Sequence, residues 1–176
     1  MTNDELIKKS QEGNKKAFEE LVNNNYDLIY KFAYKWCGNK ENAEDITQQA
    51  CIKLVRSIDQ FQFKSKFTSW IYRLTINCAK DWYKSNNNYN TKLDDIENHS
   101  YLTTNNDNSE DNLFLLEVLE IMEDLPDGIK ETMILVHAEG YTHSEAAIIL
   151  EVKESTVSWR IHEARKQIKA RLKDLE

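Results

Sequence analysis

Proline and glycine are scarce in this chain, whose 176 residues include one proline and four glycines. Glycine-rich turns and strict polar–apolar alternation, the usual signs of β-hairpins, are also missing. Hydrophobic residues make up 40% of the sequence, which is enough for packed cores. The composition therefore predicts an all-α protein of one domain or two small ones.

Cysteines are few, and their number is odd. Cys37, Cys51 and Cys78 lack metal-ligand spacing and lie in apolar helical patterns, so we expect buried thiols in a reducing compartment. The chain has no signal peptide and no apolar run of membrane length, which predicts a cytoplasmic protein.

Motifs for catalysis are missing as well. The chain has no metal motif, glycine-rich phosphate loop or nucleophile motif. His137 and Glu139, like His143 and Glu145, stand two residues apart, so on a helix neither pair shares a face. We therefore expect no enzymatic activity, no metal and no cofactor.

Residues 85–112 break the helical pattern. Nine of these 28 residues are asparagine, and six acidic residues against Lys92 give the segment a net charge of −5. Such a composition is typical of chain with little fixed structure. It predicts a flexible acidic linker between two small helical domains at 1–84 and 113–176.

The N-terminal segment has the apolar spacing of several helices. The first is expected to begin at a Thr2 cap and to be interrupted at Gly13, and the second is long and ends near Gly38. A loop from Asp59 to Lys66 precedes a last helix at about 68–84. The expected apolar side of the third helix consists of Ile46, Leu54, Val55 and Ile58.

The last of these helices has two faces. Its core stripe is predicted to be Ile71, Leu74, Cys78 and Trp82, and its polar stripe Arg73, Asn77, Lys80 and Lys84. Trp70, Tyr72 and Tyr83 are expected beside the polar stripe. Aromatic and basic side chains together suit single-stranded nucleic acid, because bases stack on rings while cations contact phosphates. A solvated helix face explains the same pattern.

Residues 142–172 have the pattern of a helix-turn-helix. Thr142 and Glu145 have capping-box spacing, and residues 151–153 interrupt the helical period. The second helix has a core stripe of Val157, Ile161, Ala164 and Ile168. Residues 153–173 carry seven Lys and Arg against two Glu, a net charge of +5 on a protein of net charge −7. The DNA backbone explains this cluster. The helix dipole explains only the cations of the last turn, and not Arg160 in the first.

Three stretches resemble a known family. AEDITQQACIKLVRSIDQF at 43–61 and FTSWIYRLTINCAKDWYK at 67–84 resemble domain two of bacterial extracytoplasmic-function (ECF) sigma factors. The segment from LPDGIKETM to KQIKARL, residues 125–172, resembles domain four. The resemblance implies a dissociable polymerase subunit. Domain two, at 1–84, would bind core polymerase and the minus-ten element, and domain four, at 113–176, would bind the minus-thirty-five element.

The resemblance also implies a role for individual residues. The implied polymerase-binding residues are Glu44, Asp45, Gln48 and Gln49. The implied minus-ten residues are Phe61, Phe63, Lys64, Lys66, Trp70, Arg73, Asn77 and Lys80. The implied minus-thirty-five residues are Ser155, Thr156, Ser158, Trp159, Arg160, His162, Arg165 and Lys166. RNA polymerase core and promoter DNA are the implied partners of a free monomer, and an anti-sigma factor is a candidate third.

Some positions depart from the family pattern. Ser158, Trp159 and Glu163 stand where Arg, Lys or Ser is usual, and Gln49 stands where Glu is frequent. Direct readout of guanine by Arg is therefore expected to be weaker here. Core packing and DNA contact both remain open for Trp159. An autonomous helix-turn-helix regulator is the alternative function, and it would bind duplex without polymerase.

Overall fold

The computed structural model describes residues 2–90, 118 and 120–174, and within these residues every regular element is helical. The described chain forms two compact units. One holds the residues up to 90 apart from Lys35–Lys40, and the other holds Lys35–Lys40 and the residues from 118 onward. This confirms the predicted all-α class. The expected linker lies mostly outside the described residues, and no described helix is long and apolar enough to cross a bilayer.

Four α-helices and a short 3₁₀ turn lie before residue 91. They are α1 (Asn3–Gln11), α2 (Lys15–Cys37), α3 (Lys40–Ser57), the turn Ile58–Gln60 and α4 (Phe67–Asn90). The start of α1 is a capping box, as predicted. The Thr2 hydroxyl accepts from the Glu5 amide at 3.3 Å, and the Glu5 carboxylate accepts from the Thr2 amide at 2.9 Å. Hydrogen bonds from the backbone and the side chain of Thr2 to its carboxylate lower the pKa of Glu5.

The first unit packs α4 against α2 through more of its circumference than one stripe. Tyr72 is 4% exposed and meets the ring of Phe32 edge-on at 5.6 Å between centroids, so its predicted place beside the polar stripe is wrong. Thr75 is also buried, and its hydroxyl donates to the carbonyl of Ile71 at 2.9 Å, which satisfies it without a tertiary partner. The wide core face explains why a narrow stripe missed these residues.

Two other expectations for this unit need correction. Val55, assigned to the apolar side of α3, is 54% exposed. The helix expected to stop at about Lys84 continues to Asn90. Residues 85–90 are rich in asparagine but contain neither glycine nor proline, so nothing in them forces the helix to end.

In the second unit, α5 (Ile129–Met133) runs into a π-helical turn (Ile134–Ala138), followed by α6 (His143–Leu150) and α7 (Glu154–Asp174). Leu135, Ile149 and Val157 from three of these elements are at most 1% exposed. The helices α5 and α6 both pack on α7, which is therefore the central helix of this unit.

Gly128 begins α5 with φ +92°, a conformation that strains other residues. The guanidinium of Arg160 lies against its Cα, where a side chain would stand. The positive φ therefore favours glycine at this position, and a side chain here would also displace the flexible end of Arg160.

Candidate nucleic-acid interfaces

Hydrogen bonds define both ends of α6 and so the turn that leads to α7. Thr142 and Glu145 form a capping box at the start of α6, at 3.0 and 3.2 Å. At its end Glu151 takes the left-handed conformation (φ +55°), and the amide of Val152 donates to the carbonyl of Ala147 at 3.1 Å. Three residues later α7 has begun, so the predicted helix-turn-helix is present.

The outer face of α7 carries most of the residues implied in DNA binding. Val157, Ile161 and Ala164 are at most 3% exposed and fix which side of α7 packs inward. The exposed members of the predicted minus-thirty-five set are Ser155, Ser158, Trp159, His162, Arg165 and Lys166. The structure therefore brings six of the eight predicted residues to the solvent side of α7.

Arg160 is placed differently from these six. It is half-buried on the flank of α7, against Gly128, and its Nη1 lies 3.4 Å from the hydroxyl of the fully buried Thr132. Farther along α7, Arg171 pairs with Asp124 at 2.7 Å. Both cations thus contact the chain in and before α5, Arg160 from a half-buried position and Arg171 through an exposed ion pair. The sequence analysis found no structural reason for a cation at Arg160, and this packing supplies one. A phosphate contact by Arg160 stays a prediction.

Polar contacts fix two further side chains next to this face. The hydroxyl of Ser158 lies 2.9 Å from Nδ1 of His143, at the start of α6. Glu163 is half-buried, and its carboxylate accepts from the Gln167 amide at 2.7 Å. Nearby, partial burial lowers the pKa of His137, and the charges of Arg165 and His143 lower it further.

A cluster of four aromatic rings forms the second candidate interface. Phe61 and Phe67 are each 5% exposed and form its floor, with ring centroids 5.1 Å apart. The ring centroids of half-buried Trp70 and of Phe63 lie 5.6 and 4.9 Å from that of Phe61. Phe63 is 39% exposed, with φ +57°. Of the two loop phenylalanines in the predicted minus-ten set, Phe63 is therefore the accessible one, and Phe61 supports it.

Residues of α1 hold this cluster in place, which the sequence analysis missed. The side-chain amide of Gln11 donates to the carbonyls of Ile58 and Phe61, at 2.9 Å each. The ammonium group of Lys8 lies 5.7 Å from the Phe63 ring centroid, within cation–π range. The backbone before the loop is thus fixed by a side chain about fifty positions earlier.

The remaining residues of the predicted minus-ten set lie on the loop and on the outer side of α4. Lys64, Lys66 and Asn77 are exposed, while Arg73 and Lys80 are half-buried. Asp81 interrupts this polar surface and pairs with Lys53 at 3.8 Å. The polar stripe is therefore accessible, and the carboxylate of Asp81 lowers the positive charge near its centre.

The outer face of α3 carries all four residues implied in polymerase binding. Glu44, Asp45, Gln48 and Gln49 are exposed. Ile52 and Val55 continue the same face by four and seven residues from Gln48, and they are 46% and 54% exposed. Sequence reasoning assigned Val55 to the core and did not consider Ile52. Their helical spacing from Gln48 was the available signal.

Comparisons with known proteins match both halves of the chain. A model of sigma-70 region 2 matches residues 21–89, and a model of sigma-70, region 4 matches residues 115–168. The ECF RNA polymerase sigma factor SigW of Bacillus subtilis (strain 168) is 29% identical over 181 residues, which span 96% of each chain. The ECF RNA polymerase sigma-E factor of Haemophilus influenzae (strain ATCC 51907 / DSM 11121 / KW20 / Rd) is 28% identical over 185 residues, which span 99% of this chain and 97% of that one. The chain belongs to the ECF sigma factors.

Solved structures agree with the fold of this ECF sigma factor. CnrH, solved in complex with the cytosolic domain of CnrY, has a TM-score of 0.67 at 22% identity, covering 96% of both chains. RpoE of Bartonella quintana, solved with the anti-sigma factor NepR, has a TM-score of 0.67 at 21% identity, covering 90% of this chain and 98% of that one. At this identity the likeness concerns the fold alone. The family and the all-α class expected from the sequence are both confirmed.

Proposed function

We propose that this ECF sigma factor recognises promoters by dividing the work between its two domains. The domain at 1–84 binds core RNA polymerase and captures the melted minus-ten strand, and the domain at 113–176 binds the minus-thirty-five duplex. Residues 85–112 join them. The proposal rests above all on one observation, the match to sigma-70 regions 2 and 4 in that order along one chain.

Three binding partners are proposed for this protein. They are core polymerase, promoter DNA and an anti-sigma protein, which is proposed because the structurally similar RpoE of Bartonella quintana was solved with the anti-sigma factor NepR. We further propose that the free protein is a cytoplasmic monomer that acts by binding, without enzymatic activity.

Polymerase binding is assigned to the outer face of α3. Asp45 and Gln48 are three residues apart on one exposed face, and Ile52 and Val55 extend it with apolar surface. A polar rim next to exposed aliphatic side chains is the composition of a protein-binding surface. Burying the two aliphatic side chains contributes about 25 cal/mol for each Å² of apolar area removed from water.

Strand capture is assigned to the aromatic cluster and α4. Opening the duplex costs a few kcal/mol for each base step that unstacks. Stacking of a base on an aromatic side chain returns about 1–3 kcal/mol. Phe63 is the accessible ring, Trp70 lies half-buried behind it, and Asn77 offers an amide for a base edge.

Run-off transcription with core polymerase on genomic fragments tests the proposed function. We expect discrete transcripts that depend on the added protein, and their start sites will identify the promoter elements. If the protein instead binds duplex tightly and specifically without core, and yields no transcript with it, the autonomous regulator is correct. The match to both sigma regions makes that alternative the less favoured one.

Two variants test the polymerase face. Asp45→Arg combined with Gln48→Ala should abolish co-purification with core while leaving helical content unchanged, because both side chains are exposed. The matched control is Glu20→Arg combined with Asn24→Ala, which changes exposed residues of α2 in the same chemical way. Unchanged binding by the first pair would move the interface elsewhere.

Asn77→Ala and Lys80→Ala test strand capture. Both should retain core binding and reduce transcription from closed linear duplex, with permanganate-reactive thymines fading in the minus-ten region. A pre-melted template should restore more activity to Lys80→Ala, whose assigned role is attraction of the backbone, than to Asn77→Ala. Full activity of both variants on closed duplex would reduce this stripe to a solvated helix face.

A further inference from the structure

Trp159 is the most exposed aromatic side chain of the described residues, at 54% exposure. The other three tryptophans are buried or half-buried. Trp159 is two residues from Val157 and from Ile161, so at about 100° per residue it points nearly opposite the core stripe of α7. Packing within the domain therefore does not account for an indole at this position.

The neighbours of Trp159 along its own face are polar. Ser155 lies one turn before it, His162 lies nearly one turn after it, and Lys166 lies two turns after it, and all three are exposed. A protein-binding surface on α7 would need contiguous apolar area around the ring. A single indole among hydroxyl, imidazole and ammonium groups instead suits the DNA major groove, where phosphates line both walls.

The groove offers one apolar group to such a ring, the C5 methyl of thymine. The indole N–H is a donor only, so it suits the thymine O4 and purine N7 acceptors and opposes the cytosine amino group. Glu163, the acceptor that could bind a cytosine amino group, is half-buried and already accepts from Gln167 at 2.7 Å. The apolar surface of Trp159 thus favours thymine, and its N–H donor is compatible with that base and disfavours cytosine.

We propose that Trp159 is a specificity-determining residue that contacts thymine methyl groups in the minus-thirty-five element. This inference rests on the proposed function and assigns a base preference to one side chain within it. The hydroxyl of Ser158, the residue before Trp159, lies 2.9 Å from Nδ1 of His143 in α6. Of these two neighbouring side chains, the ring of Trp159 is therefore the one that can adapt to the DNA.

The test removes the methyl groups from the DNA instead of changing the protein. A promoter duplex transcribed by the holoenzyme is prepared with each minus-thirty-five thymine replaced in turn by deoxyuridine, which pairs identically but lacks the methyl. Loss of one buried methyl should weaken holoenzyme binding about three- to fourfold. Deoxyuridine at spacer thymines is the control and should have no effect.

Trp159→Ala provides the second arm. Its holoenzyme should bind the thymine duplex more weakly and should no longer distinguish it from the deoxyuridine duplex, while Trp159→Phe should keep part of the discrimination. Tyr26→Ala, which removes an exposed ring from α2, is the matched control and should discriminate like the unchanged protein.

The possible outcomes separate this inference from the proposed function. Equal binding of all deoxyuridine duplexes, or an equal loss with Trp159→Ala, overturns the thymine contact although transcription itself continues. Trp159→Ala that binds promoter normally but loses core polymerase or an anti-sigma protein also overturns it, because the ring then serves a protein partner. Absence of any core-dependent transcript with the unchanged protein would instead refute the proposed function.

Discussion

We expect Gln11 to connect the fold of the first unit to the proposed role of the aromatic cluster in promoter opening. Its side-chain amide donates to the carbonyls of Ile58 and Phe61, which lie on either side of the point where the 3₁₀ turn becomes the aromatic loop. Each hydrogen bond contributes about 0.5–1.5 kcal/mol net, and both are partly shielded from water. Gln11→Ala should therefore cost about 2 kcal/mol of unfolding free energy.

A loss of this size should lower the Tm of a domain of this length by about 10 °C. It should also loosen the loop that presents Phe63, so transcription from closed linear duplex should fall more than core binding does. Gln11→Met keeps the side-chain volume but removes the donor, and it should reproduce both effects. Asn24→Ala changes an exposed amide on α2 and should leave stability and opening unchanged.

Thermal melting by circular dichroism, core binding and permanganate footprinting measure these effects. If Gln11→Ala and Gln11→Met each cost less than about 0.5 kcal/mol, water replaces both hydrogen bonds and the amide does not support the loop. If stability falls but opening does not, the loop conformation is set by ring packing among Phe61, Phe67 and Trp70 alone.

Three other properties can be tested directly. Gly128→Ala should lower the free energy of unfolding by about 2 kcal/mol, seen as a lower urea midpoint, because alanine is strained in the left-handed conformation. The flexible end of Arg160 should move aside at little further cost, so an unchanged midpoint would contradict the positive φ at this position. Burial raises the pKa of all three cysteine thiols. Their labelling by a disulfide reagent at pH 8 should therefore be on the order of tenfold slower than in denaturant, and it should accelerate as the pH rises. Equal rates in the folded and denatured protein would show that the thiolates are exposed. The duplex affinity of the free protein should fall with salt at a log–log slope of up to about −4.5 if Arg160 and Arg171 keep their contacts with Thr132 and Asp124 and only the other five cations of residues 153–173 meet phosphates. A steeper slope would show that one of these arginines, or a cation elsewhere, also contacts phosphate.

The sequence predicted the elements whose evidence is local. Helix starts at Thr2 and Thr142 follow from capping boxes, and the inward side of α7 follows from the spacing of Val157, Ile161 and Ala164. These features depend on residues within one or two turns of each other. Local spacing was therefore sufficient to recognise the helix-turn-helix and the all-α class.

Features that depend on distant neighbours were missed. Periodicity gives the direction of a side chain but not how many helices surround it, which is why Tyr72 was expected near the surface and is buried against Phe32. The same limit explains Val55, whose apolar side chain suits a core and a protein-binding face equally. Gln11 could not be found at all, since its partners lie about fifty residues away and accept through backbone carbonyls, which no sequence pattern records.

The placement of two arginines changes the electrostatic argument for DNA binding. Of seven cations in residues 153–173, Arg160 and Arg171 contact Thr132 and Asp124 within the domain. The exposed remainder consists of Lys153, Arg165, Lys166, Lys169 and Lys173. The attraction of these cations to phosphates must act against the long-range repulsion of a protein with net charge −7. We therefore expect electrostatics alone to give the free protein weak affinity for duplex, with Trp159 contributing mainly to discrimination as proposed above. On the proposed function, stable promoter binding then requires the polymerase, which would anchor the sigma factor next to the DNA and make the contact of α7 with the groove effectively intramolecular.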